Sequence, residues 1–398
     1  MDTRPLEPAG MLGAARPAPQ TLPVRFSGSG SEYFRIWIVN LLLTLVTLGL
    51  YFPWAKVRRL RYFYGNTRIG EHPLAFHGSP SRMLRGFLLV AALLILYSVA
   101  GRFSPTAGAI AFLVIAAIWP ALFRAGQRFR LANTSWRGLR FRFDGTTAGA
   151  YRAMLPLFVP GALLFGMFAA IDAEDGRPAR GSEAWFGLLP IALLALVPLF
   201  WWMLKKYQHD HMALGVNRTA LHTGPGSFYL VFFKALGVSA MVGIAGGLGT
   251  AVVGGLGAGL LASLRGPSLA GGLGAATLAL IGAVLLVYLA AVAVVRPFIS
   301  ARLQNLVWNA TRSADIRFES VLRFRALLWL TMKNWLLIVV TLGFYWPFAA
   351  IAMARLRLEA VSVSSAVDPA DFESRGRKGA DDAAGDAAGD LFGIDIGL

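Results

Sequence analysis

The chain has 398 residues, 56% of them hydrophobic and only 15% charged, with a mean hydropathy of +0.58. A soluble protein of this length cannot bury so much apolar side chain, whereas lipid can cover it. A net charge of +17 would suggest nucleic acid in a soluble chain, but here the positive charges sit between apolar runs, so the positive-inside rule accounts for them and no nucleic-acid partner is expected. The absence of cysteine excludes disulfides, thiolate metal sites and cysteine nucleophiles.

In chain order, residues 1–23 are rich in Pro, Ala and Gly, lack the pattern of a cleavable signal, and read as a disordered N-terminal segment. Eight apolar segments follow, near 34–54, 84–101, 106–123, 151–171, 185–204, 228–262, 269–295 and 327–350. Most are long enough to cross a hydrocarbon core of roughly 30 Å as a helix. Residues 24–360 are expected to form one repeated transmembrane domain. Residues 361–398 end acidic and Gly/Ala-rich (Asp381, Asp382, Asp386, Asp390) and read as a disordered tail.

The loops alternate in charge. Arg58, Arg61 and Arg68 lie between the first two segments, Arg128, Arg140 and Arg142 between the third and fourth, Lys205 and Lys206 after the fifth, and Arg296, Arg302 and Arg317 after the seventh. The opposite connections are short or acidic, so the basic set is assigned to the cytoplasm. Each basic loop carries an Asn with a nearby Thr or Arg: Asn66-Thr67, Asn133-Thr134, Asn217 and Asn309. A Phe- or Gly-bearing stretch follows, as in Phe76-His77-Gly78 and Phe143-Asp144-Gly145. Leu139 to Phe143 alternates apolar and basic with the period of a strand. The unit therefore reads as a short strand pair followed by a helical hairpin. The expected fold is an all-α polytopic membrane protein of about eight apolar segments in repeated hairpins, with short basic cytoplasmic β elements. Arg58, Arg61, Arg140, Arg142 and Arg355 are expected to face anionic headgroups of the lipid bilayer.

The first and last apolar segments echo each other. Asn40, Thr47, Gly49, Tyr51 and Pro53 have counterparts at the same spacing in Asn334, Thr341, Gly343, Tyr345 and Pro347. Basic residues flank both segments on both sides. That argues for a helix that enters and returns, with Gly49 and Pro53, and Gly343 and Pro347, as candidate hinges. Asn40, Thr47, Lys333, Asn334 and Thr341 are polar positions inside apolar sequence, which either line a solute path or hold helices together.

Phe26-Ser-Gly-Ser-Gly-Ser-Glu-Tyr-Phe-Arg35, Thr47-Leu-Gly-Leu-Tyr51, the run from Trp54 to Thr67, and Asn133-Thr-Ser-Trp-Arg-Gly-Leu-Arg-Phe141 together resemble the YjgN-like family of bacterial inner-membrane proteins. The resemblance covers roughly residues 24–360. It implies an inner-membrane location and this architecture, and supplies no active site.

His209-Asp210-His211 lacks a further ligand cluster, and loop geometry explains it better than a metal. Gly243/Gly247 and Gly255/Gly259 have the spacing that lets helices approach closely. No phosphate loop, zinc motif or nucleophile elbow is present, so no enzyme, cofactor or metal is expected. Two function classes fit: a transporter or channel for a small solute, or a non-transporting protein that organises anionic lipid or a partner protein through its basic cytoplasmic face. Oligomeric state is not legible.

Overall fold

The structure, a computed structural model, describes residues 20–169, 183–215, 217–265 and 269–367. Strand β1 (Gln20–Phe26) leads into helices α1 (Gly30–Val46) and α2 (Phe52–Gly65), then β2 (Thr67–Ile69) and β3 (His72–Phe76). Next come α3 (Pro80–Phe103), α4 (Pro105–Ala132), β4 (Thr134–Trp136) and β5 (Leu139–Phe143). They are followed by α5 (Thr147–Ala169), α6 (Glu183–Asp210), β6 (Met212–Leu214), β7 (Asn217–Arg218) and β8 (Ala220–Leu221). The chain continues through α7 (Pro225–Arg265), α8 (Leu269–Ala310), β9 (Thr311–Arg312) and β10 (Ile316–Ser320), and ends with α9 (Phe324–Val340), α10 (Trp346–Leu358) and β11 (Val361–Ser365). Helical hairpins thus alternate with short strands throughout.

The all-α expectation is overturned by the strands. All eleven join one antiparallel sheet in the order β7-β6-β5-β4-β3-β2-β1-β11-β10-β9-β8. The two ends of that order, β7 and β8, are consecutive in the chain and separated only by Thr219, so the sheet curls into a nearly closed barrel. Strands of two to seven residues are too short to be stable as isolated hairpins, and closure removes their edges. The count of eight apolar segments fails too. Among the described residues, five helices are long and apolar enough to cross a membrane: Pro80–Phe103, Pro105–Ala132, Pro190–Asp210, Pro225–Val252 and Leu280–Ala310. The first and last apolar segments are instead two short helices each, α1/α2 and α9/α10. The domain boundaries also shift. Gln20–Pro23 pair with Ser362–Ser365, so both stretches belong to the sheet rather than to disordered ends. Residues 1–19 and 368–398, expected to be disordered, lie outside the described residues.

The register sorts the sheet into two faces. Thr21, Arg25, Arg68, Ser135, Arg140, Arg142, Ala213, Arg218, Arg312, Arg317 and Ser364 follow one another through cross-strand pairing on one face. The other face is apolar and forms the bore: Val24, Ile316 and Val363 pack with Leu22, Ile69, Phe318, Val361 and Leu139. Leu139 lies on β5, four strands from β1, and reaches this cluster only across the bore. The barrel is therefore filled with side chains, as small barrels are.

One rim of the barrel carries the strand–strand turns, such as Arg137-Gly138, where both residues take positive φ (51° and 82°). Every helix attaches at the other rim. At that rim a phenylalanine folds over the glycine two residues on. A Cβ on Gly28, Gly78 or Gly145 would lie within 2.7 Å of Phe26, Phe76 or Phe143. Returning helices then clamp the same spot: Arg61 donates to the Gly78 carbonyl (3.1 Å), Arg124 to Gly145 (2.6 Å) and Arg355 to Gly28 (2.8 Å). The last of these ties the final helix to the first.

The returning helices α2, α4, α6, α8 and α10 form an inner ring. Val57 packs with Phe129 (α2–α4), and Phe123 and Leu131 with Met203 and Tyr207 (α4–α6). His209 meets Trp308 edge-on at 5.4 Å (α6–α8), and Ala301 packs with Met353 and Leu356 (α8–α10). Arg59 lies 5.5 Å over the Trp346 ring, which closes α10 onto α2. Each outbound helix sits outside this ring beside the preceding returning helix, as Phe52–Phe87, Phe298–Phe324 and Phe34–Phe348 record.

Candidate functional site

The matched turns at the two ends of the chain have nearly identical geometry. Leu48 and Gly49 take φ of 50° and 93°, and Leu342 and Gly343 take 49° and 94°. Gly49 donates its N–H to the Thr44 carbonyl and Gly343 to that of Ile338, both at 2.7 Å, which closes each helix end. Thr47 Oγ1 donates to the Leu43 carbonyl (2.7 Å) and accepts from the Tyr51 N–H (3.0 Å); Thr341 does the same with Leu337 (2.6 Å) and Tyr345 (2.9 Å). Pro53 and Pro347 sit in the first turn of the returning helix, where a missing N–H costs nothing. These residues build a turn, and the chain comes back to the rim it left. The turn tips are bare apolar surface: Leu48 is 94% and Leu342 89% exposed.

Asn40 and Asn334 are both buried (8% and 3% exposed). Asn40 Nδ2 makes one long hydrogen bond, 3.5 Å, to the Ala55 carbonyl, and its Oδ1 has no partner. Neither amide atom of Asn334 has one. Lys333 points away and is exposed.

The loop motif proves partly out of register. At the ends of α2 and α4, Asn66 and Asn133 Nδ2 donate to the carbonyls four residues back (2.9 and 2.7 Å). Thr67 and Thr134 Oγ1 do likewise (2.7 and 2.8 Å). At the end of α6 that place belongs to His211, whose Nδ1 lies 2.8 Å from the Tyr207 carbonyl, and not to Asn217, which is a buried strand residue. Asn309 exchanges hydrogen bonds with the Ser320 backbone. Sequence matching on residue type misses a histidine doing an asparagine's work. Thr311 takes the threonine's place after α8, fully buried, bonded to the Val307 carbonyl (2.7 Å) and to His209 Nδ1 (3.0 Å).

The expected headgroup-facing arginines divide. Arg61 and Arg355 are engaged at the rim carbonyls, and Arg142 pairs with Asp144 (2.7 Å). Arg58 and Arg140 are exposed. The sheet register adds Arg25, Arg68, Arg218, Arg312 and Arg317 to the same outer face as Arg140 and Arg142, all exposed. Arg218 donates to the Asp210 carbonyl, while the side chains of Arg25, Arg68, Arg140, Arg312 and Arg317 make no hydrogen bond or ion pair among the described residues. Such charges, held on one girdle within a few Debye lengths of each other, sum to a positive field around the barrel.

A family model described as a bacterial protein of unknown function (DUF898) matches residues 21–391. The chain belongs to this family. It is similar to the inner membrane protein YjgN of Salmonella typhimurium, 25% identical over 82% of this chain and 84% of that one. It is also similar to the inner membrane protein YjgN of Escherichia coli K12, 27% identical over 43% of each chain. No solved structure matches the chain significantly. With the apolar helices, these relatives place the chain in the bacterial inner membrane as a multi-pass protein.

Proposed function

We propose that this family member is a membrane-embedded scaffold that gathers anionic lipid, through the arginine girdle of its sheet, around the base of its helices. The girdle carries the reading: seven outward arginines by register, with Glu319 as the acidic residue between them. Helices anchored at one rim hold the sheet against the bilayer surface, where each nearby basic residue is worth about 1 kcal/mol toward anionic lipid. The filled bore supports a role other than a pore through the sheet. We also read the five strand–hairpin–strand units as copies of one unit, on the strength of the matched turns and the Phe-x-Gly corners.

The test is lipid composition around the protein. In nanodiscs of mixed phosphatidylglycerol and phosphatidylcholine, the wild type should enrich phosphatidylglycerol, and Arg25→Gln, Arg68→Gln, Arg140→Gln and Arg312→Gln together should remove most of the enrichment. Equal enrichment in both would refute the proposal. Passage of a small solute is the second reading, favoured by the closed ring of returning helices; flux into liposomes that survives the four substitutions would favour it.

A further inference from the structure

The inner ring of helices carries a second set of cations that neither the outer girdle nor the rim clamps use. Lys56 on α2, Arg130 on α4, Lys205 on α6, Arg296 on α8 and Arg357 on α10 come one from each returning helix. They converge in space. Lys56 lies within the field of Arg130, Lys205 within that of both Arg130 and Arg357, and Arg357 within that of Arg296. Because α6 and α10 are not neighbours in the ring, the field of Arg357 at Lys205 spans its interior. Two glutamines furnish the same region. Lys205 Nζ donates to Gln208 Oε1 (3.0 Å), and Arg357 Nε donates to Gln304 Oε1 (2.9 Å), while the buried Gln304 returns a bond to the Arg357 carbonyl (2.8 Å).

Charge balance is missing. Among the described residues the ion pairs are Arg142–Asp144 and Lys206–Asp210, and none of the five axial cations pairs with a carboxylate. The arginines that hold the fold together spend their N–H groups on main-chain carbonyls. The axial ones do not, and Gln208 and Gln304 offer neutral amides only. Burial and the neighbouring charge of Arg130 already push the Lys56 ammonium pKa down, and burial with Arg296 does the same to Arg357. Like charges crowded in this way are stable when an anion sits among them.

We propose that the axis of the inner ring, above the filled barrel, is a binding site for a phosphate-bearing anion, held by Lys56, Arg130, Lys205, Arg296 and Arg357. A phosphate monoester carries up to two negative charges and three acceptor oxygens, which suits several donors converging from different directions. A lipid headgroup and a free phosphate share this chemistry. The site stands whether or not the outer girdle gathers lipid.

The full-length protein in neutral detergent micelles, titrated calorimetrically at one ionic strength with pyrophosphate and with dihexanoyl phosphatidate, tests it. Saturable binding of phosphatidate alone assigns a lipid headgroup; binding of pyrophosphate assigns a free phosphate source. In either case Lys205→Gln with Arg357→Gln should weaken binding at least roughly tenfold, while Arg82→Gln with Arg325→Gln, exposed on the outer helices α3 and α9 and outside the girdle, leaves it within about twofold. Should the double variant fold poorly, Lys56→Gln alone should still weaken binding and should raise the melting temperature of the anion-free protein by relieving repulsion. No saturation by either probe, or equal losses from the inner and outer pairs, would overturn the assignment.

Discussion

Replacing Asn334 by leucine should stabilise the protein. The residue is 3% exposed, and neither Oδ1 nor Nδ2 has a hydrogen-bond partner. A buried polar group without a partner costs about 1–3 kcal/mol, and leucine has the same branched arrangement of side-chain heavy atoms and no such group. Thr331, one helical turn earlier, satisfies its own hydroxyl on the Leu327 carbonyl (2.7 Å) and needs nothing from Asn334. The net gain is therefore estimated at about 2 kcal/mol, or roughly thirtyfold in the folding equilibrium. Asn40→Leu should gain less, because Asn40 keeps its one long bond to Ala55. Equilibrium unfolding in mixed micelles with increasing dodecyl sulfate, followed by tryptophan fluorescence, measures both. A loss of 1 kcal/mol or more for Asn334→Leu would refute the reasoning, because it would mean that the amide is bonded in the folded protein and the residue belongs to a polar path or a helix-holding contact.

Other consequences follow from single contacts. Gly343→Ala meets no atom within 4 Å, so its cost is the backbone strain of φ 94° alone, about 1 kcal/mol in the same unfolding assay. Thr311→Val removes the hydroxyl that serves both Val307 and the buried His209, and should cost about 1–3 kcal/mol. Phe76→Ala empties the corner packed by Val57, Met83 and Phe129 and should cost about 3–5 kcal/mol, enough to lower the yield of folded protein on size exclusion.

Much of this was legible in the sequence, and the illegible part has a common cause. The alternation from Leu139 to Phe143 marked a strand, and the echo of Thr47-Leu-Gly49 in Thr341-Leu-Gly343 marked a shared turn, because both are local patterns with a local physical reason. Sheet closure was not legible. β1 and β11 pair across some 340 residues of chain, from Thr21 to Ser364, and strands this short carry no signal of their distant partners. The same limit misplaced the glycine contact. Gly243 and Gly247 face open space, while Gly246 lies where Val287 of α8 comes within 2.7 Å of a Cβ position, because helix rotation is set by the partner and not by spacing. Of the axial cations, Lys205 and Arg296 were visible as loop charges. That they share one axis required knowing that α2, α4, α6, α8 and α10 face inward together.

The account rests on every hairpin leaving and rejoining one rim of one sheet, which puts all strand turns and both ends of the sheet on a single side of the membrane. The cysteine-free sequence permits a direct measurement with an impermeant thiol reagent on single-cysteine variants in oriented vesicles. Cysteines at Glu71, Gly138, Asp315 and Ser364 should label from the cytoplasmic side, Ser104 between α3 and α4 from the opposite side, and Leu48 and Leu342 from neither. Labelling of Ser104 and Ser364 from the same side, or of Glu71 and Asp315 from opposite sides, would contradict it.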